Sequence, residues 1–180
     1  EANSLIASEP FALLVGFALD QQVTVPTAFT GPLKLKRRLG TLDPKRIAKT
    51  DPARLQEAFR EKPAVHRFPG SMAARVHELA ATVADEYGGR AERLWTEARD
   101  ADDLRARLAA LPGFGAMKIT SLGAVLAKRY GVAVSYESWV ADAHGRGWTV
   151  PTGHPGLGTS GSGDVLAGAV VDQVFTGIED

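Results

Sequence analysis

The residues best able to do chemistry in this chain stand at a glycine-bent turn. Leu111-Pro112-Gly113-Phe114-Gly115 is followed within one helical turn by Lys118. Glycines at alternate positions let a backbone turn sharply and approach a ligand closely, and they leave N–H groups unpaired at the start of a following helix. Such amides hold phosphate; the helix dipole adds a partial positive charge and Lys118 a full one. The same string also serves a plain turn between two helices, with its glycines there for geometry alone. Elsewhere the catalytic repertoire is thin. The chain has no cysteine, which excludes a disulfide, a thiol nucleophile and a cysteine-held iron–sulfur cluster. Its histidines, His66, His77, His144 and His154, show no metal-ligand spacing with a carboxylate, so no metal site is expected. Trp95, Trp139 and Trp148 can stack on a planar ligand or pack in a core.

The elements that must position this turn read as helices over the first 130 residues, because apolar spacing and cap residues recur at helical periods. Pro10 suits a first helical turn, and Phe11, Leu13, Leu14, Phe17, Ala18 and Leu19 then make a helix apolar on nearly every side. Asp43 before Pro44 and Asp51 before Pro52 each pair a capping acceptor with a proline that lacks the orphaned N–H. Ser71 is expected to cap a helix carrying Met72, Val76, Leu79, Ala80 and Val83, closed by Gly88-Gly89. Helices over 100–111 and 117–130 flank the glycine turn. From Gly131 onward the composition shifts to glycine, serine and threonine, and no helical period returns until residues 165–174.

Of 180 residues, 44% are hydrophobic and 23% charged, the composition of an ordinary globular chain rather than a disordered one. No apolar run reaches the ~20 residues needed to span a bilayer, and a secretory leader pattern is lacking at the start, so a cytoplasmic monomer without membrane contact is expected. Because the first residue is Glu1 rather than methionine, the natural start is expected to lie upstream. Net charge is zero but unevenly spread: residues 34–129 carry 20 basic against 12 acidic residues, and both ends are acidic. A basic middle suits a phosphate-bearing partner, and equally a set of solvated helix faces.

Three stretches together resemble the helix-hairpin-helix (HhH-GPD) superfamily of base-excision DNA glycosylases over about residues 5–140. They are the Leu-Pro-Gly-Phe-Gly turn with Met117 and Lys118, the run from Pro10 through Phe11, Leu13, Leu14 and Phe17 to Gln21-Gln22, and Phe68-Pro69-Gly70-Ser71-Met72-Ala73-Ala74-Arg75-Val76. The resemblance implies an all-α fold, a helical bundle over 1–140 followed by an irregular glycine-rich tail over 141–180 with one short helix. It implies that the protein binds double-stranded DNA, extrudes a damaged base and cleaves its N-glycosidic bond. Leu111, Gly113, Phe114, Gly115 and Lys118 would hold a backbone phosphate, with a monovalent cation at the hairpin as the one cofactor allowed. Gln21 and Gln22 match the segment that probes the gap left by the extruded base, since amides both donate and accept at base edges; a capping role at the helix end is the alternative.

The family's catalytic positions carry over unevenly. Lyase-competent relatives place a lysine two residues after the second hairpin glycine, where this chain has Met117; Lys118 lies about 100° further around a helix, so no lyase activity is expected. The family aspartate beyond the hairpin aligns with Ser135. Glu137 is the nearest replacement, followed by Asp20 and Asp142, each of which also suits a solvated or capping role. Phe17 stands where the adenine-excising branch has a glutamate. A monofunctional glycosylase is therefore expected, with a catalytically silent DNA-binding module as the alternative. A second, shorter resemblance covers Pro155-Gly156-Leu157-Gly158-Thr159-Ser160-Gly161-Ser162-Gly163-Asp164-Val165-Leu166-Ala167-Gly168. It is similar to the anion-hole signature of ribokinase-like NAD(P)H-hydrate dehydratases, which implies anion binding at Gly161 and Gly163 with Asp164 acidic. Nothing upstream supplies the strands of that fold, so a fused fragment or a flexible tail is the expectation there.

Overall fold

The computed structural model describes residues 1–130, with side chains through residue 128, and the backbone of three short strands. Among the described residues two compact units stand out, Glu1–Glu92 with Leu111–Gly113, and Arg93–Ala110 with the residues from Phe114 onward. The fold is all-α, as expected. The first unit holds α1 (Ala2–Ser8), α2 (Pro10–Leu19), α3 (Val25–Leu39), α4 (Pro44–Ala48), α5 (Pro52–Arg60) and α6 (Pro69–Glu86). The second holds α7 (Arg93–Thr96), α8 (Ala101–Ala109) and α9 (Ala116–Tyr130).

α2 is the centre of the first unit, and every residue from Phe11 to Leu19 is buried. It packs against α1, α3 and α6. Each fully buried Leu, Ile or Phe contributes about 1.5–3 kcal/mol, so this helix and its neighbours supply much of the hydrophobic stabilisation of the unit. Two glycines set how closely α2 and α3 meet. A Cβ at Gly16 would lie 2.7 Å from Cδ1 of Phe29, whose ring stands edge-on to Phe17 at 5.2 Å between centroids, and one at Gly31 would run into Leu19.

The aspartate–proline starts form as the sequence indicates. Asp43 accepts from the N–H groups of Lys45 (2.7 Å) and Arg46 (3.3 Å), and Asp51 from those of Ala53 (2.9 Å) and Arg54 (3.2 Å). Asp100 caps α8 by accepting from Asp103 N–H at 2.8 Å. α6 starts earlier than expected. It begins at Pro69 with Phe68 as its N-cap, and Ser71 lies inside the helix, donating its hydroxyl to the Phe68 carbonyl at 3.3 Å. A proline at the first helical position tolerates a start without a side-chain cap. Gly88 and Gly89, both left-handed, follow the end of α6. α3 has no marked start in the sequence. Pro32 lies in its interior, where proline removes a helical hydrogen bond, yet Ala28, Phe29, Gly31, Pro32 and Leu35 are buried and hold the helix in place.

In the second unit the guanidinium of Arg107 donates to the Asp103 carboxylate (3.2 Å) and to the Glu97 carbonyl (2.9 Å), tying α8 to the segment after α7. Three three-residue strands, β1 (Val134–Tyr136), β2 (Trp139–Ala141) and β3 (Gly147–Thr149), pair antiparallel in the order β1-β2-β3. The sequence reading has no strands there, and β2 and β3 lie at and beyond the expected tail boundary at 140. The short helix expected over 165–174 and the residues of the second resemblance, 155–168, lie outside the described residues. Among the described residues no single helix is long and apolar enough to cross a membrane.

Two outcomes follow from this packing. Gly16→Ala gains up to about 1 kcal/mol of helix propensity but drives a methyl group into the Phe29 ring at a cost of about 1–3 kcal/mol, so urea denaturation is expected to show net destabilisation. The Asp103 carboxyl is lowered to about 2, first by the Arg99 N–H it accepts, then by the Arg99 guanidinium, with the Arg107 charge adding to them. A lowered folded-state value favours the charged form. The stability it contributes is therefore present above the ordinary carboxylate range near 4 and lost as pH falls through 2. The melting-point difference between the parent protein and Asp103→Asn is expected to hold from pH 7 to 4 and shrink below that.

Candidate nucleic-acid interface

The residues after α2 leave the core by a tightly specified path. Asp20 is the C-cap, its N–H donating to the carbonyls of Gly16 (3.1 Å) and Phe17 (3.3 Å), and Gln21 N–H donates to Leu19 at 2.8 Å. Gln22 follows with φ at +56°, a left-handed conformation rare for a residue with a side chain. Both glutamines are exposed.

Two side chains remote in sequence fix this path. His66, 2% exposed, accepts the Phe68 N–H at its Nδ1 (3.0 Å), which leaves Nε2 to carry the proton and donate to the Gln21 carbonyl at 3.0 Å. Arg75, half-buried on α6, donates from Nη1 to the side-chain Oε1 of Gln21. The stem of the same arginine lies over the hairpin turn: a Cβ at Gly113 would sit 2.6 Å from Arg75 Cδ and 2.7 Å from Nε. Gly113 also has φ at +77°. The left-handed backbone favours glycine there, and the flexible end of Arg75 would have to shift to admit a side chain.

The other hairpin positions differ. Leu111 (3% exposed) and Phe114 (6%) are buried, so their side chains anchor the turn and only their main chain can reach a ligand. Gly115 is exposed, with open space where a Cβ would stand, so the protein itself does not demand glycine at this position. α9 begins at the next residue. Lys118, in the first turn of α9, is half-buried, its Nζ 6.0 Å from the Phe114 ring centroid. Met117 is 55% exposed and carries no amine to the lyase position.

The carboxylates are less fully placed. Asp20 is half-buried at its cap, Ser135 stands on β1 opposite Val140, and Glu137 and Asp142 lie outside the described residues, as do Gly161, Gly163 and Asp164. Phe17 is wholly buried, so no carboxylate occupies the early-helix position. Trp95 is 5% exposed and packs in the second unit, which rules it out as an exposed stacking surface. Sequence reading singles out neither His66 nor Arg75 for a role. They stand 45 and 54 positions from Gln21, and no local pattern announces a contact at that separation.

The two hairpin glycines should therefore respond differently to the same change. Gly113→Ala is expected to lower stability by about 1–3 kcal/mol through left-handed strain and the collision with Arg75, whereas Gly115→Ala should stay within about 0.5 kcal/mol of the parent; equilibrium unfolding of both variants measures this.

Comparison with known proteins agrees with the geometry. No curated protein and no solved structure matches the chain. The family model described as the HhH-GPD superfamily base excision DNA repair protein matches residues 15–174, a span that takes in the glutamine pair, α6, the hairpin and the three strands. The chain belongs to the HhH-GPD superfamily of base excision DNA repair proteins.

Proposed function

We propose that this protein is a monofunctional DNA glycosylase acting on double-stranded DNA. The observation that carries the reading is the Gly113–Gly115 turn, which presents an exposed glycine with open space around it at the start of a fifteen-residue helix in a base-excision repair family. Main-chain amides at this helix start would hold a backbone phosphate, strengthened by the dipole of α9 and the charge of Lys118. Gln22 would enter the space left by the extruded nucleotide and bond to the base edges there, with Gln21 holding the segment beside it.

Hydrolysis breaks the bond between the sugar C1′ and the base nitrogen. The base leaves with the bonding pair, water attacks C1′, and the water's proton passes to a carboxylate. Glu137 is the leading candidate for that role and for stabilising the positive sugar, with Asp20 second. Met117 cannot form a Schiff base with the sugar, so the reaction ends at an abasic site with both strands intact. Ser135 at the family's aspartate position favours the alternative, a DNA-binding module without catalysis.

Duplexes carrying uracil, alkylated purines or oxidised bases test the two readings. The glycosylase is expected to create sites that break only on alkali treatment; binding without such sites establishes the silent module instead. Gly115→Ala tests the hairpin itself. It is expected to fold as the parent does yet bind duplex at least tenfold more weakly, a loss of about 1.4 kcal/mol, because its new methyl group would meet the phosphate and nothing else. Unchanged affinity would remove the phosphate-binding role.

A further inference from the structure

Resting on the reading just given, we propose that Arg75 is a positioning residue that holds the glutamine segment against Gly113, so that Gln22 meets DNA in one fixed conformation. Three observations within the first unit converge on it. Arg75 Nη1 donates to Gln21 Oε1, its stem fills the space where Gly113 lacks a side chain, and Gln22 is held at φ +56° directly after the residue that Arg75 grips.

Left-handed backbone at a non-glycine residue costs of order 1 kcal/mol or more and persists only where the surroundings over-determine it. Here they do. His66 holds the main chain of Gln21 and Arg75 holds its side chain, so Gln21 is fixed at both ends. The two glutamines therefore divide the work. Gln21 is the strut, its side-chain oxygen already used within the protein, and Gln22 is the residue the strut aims outward.

The experiment measures affinity for two duplexes, one intact and one with a single tetrahydrofuran abasic analogue. The parent protein is expected to prefer the abasic duplex. Arg75→Ala should lose at least tenfold of that preference while its affinity for intact duplex stays within threefold. Arg75→Met, which keeps a stem over Gly113 but removes the donor, should lose the preference too. Gln21→Ala should reproduce the effect, and adding it to Arg75→Ala should cost nothing more, since both remove one contact.

A parent protein that binds both duplexes equally, or neither, overturns the gap-probing reading and the inference with it. A parent preference that survives in Arg75→Ala overturns the inference alone. Equal weakening on both duplexes makes Arg75 an ordinary phosphate contact and also overturns it, as does additive loss in the double variant.

Discussion

Because residues Phe11 to Leu19 present apolar groups in every direction, α2 is stable in water only when other helices cover its whole circumference, and the first unit is built around that requirement. α1, α3 and α6 provide the cover. Gly16 and Gly31 let α3 come close enough for Phe29 to meet Phe17 edge-on. The covering helices cannot shift without opening a void, since close-packed interiors lose both transfer energy and contact when a side chain retreats. The chain thus leaves α2 at a fixed place, which is why the exposed glutamines after it can be held to one conformation.

That conformation is secured by polar contacts rather than by further burial. His66 is the deeper of the two anchors, with both ring nitrogens committed to main-chain partners, a donor on one side and an acceptor on the other. Arg75 is the shallower anchor and joins three parts of the unit: the start of α6, the glutamine segment and the hairpin glycine. Its position explains why the two hairpin glycines are not equivalent. Gly113 is glycine because its backbone is left-handed, with the Arg75 side chain lying over the space a Cβ would take. Gly115 has room to spare, so the fold itself does not demand glycine there.

The chemistry of the site is defined by substitutions as much as by what is present. An exposed thioether at Met117 replaces an amine, and Ser135 replaces a charge. Neither side chain can form a Schiff base or carry a negative charge, while the glycine turn and the two exposed glutamines are in place.

Local sequence determined the helical class, the starts at Asp43, Asp51 and Asp100, the central place of α2 and the hairpin between two helices, because caps, prolines and apolar spacing act over a few residues. It did not reveal α3, where Pro32 argues against a helix that burial enforces, nor the start of α6 at Pro69, nor the three short strands beyond α9. The grip of His66 and Arg75 on Gln21, the burial of Leu111 and Phe114 and the different needs of Gly113 and Gly115 were decided by tertiary structure alone. Those features depend on side chains meeting across long stretches of chain, a separation over which spacing carries no information and only packing brings the partners together.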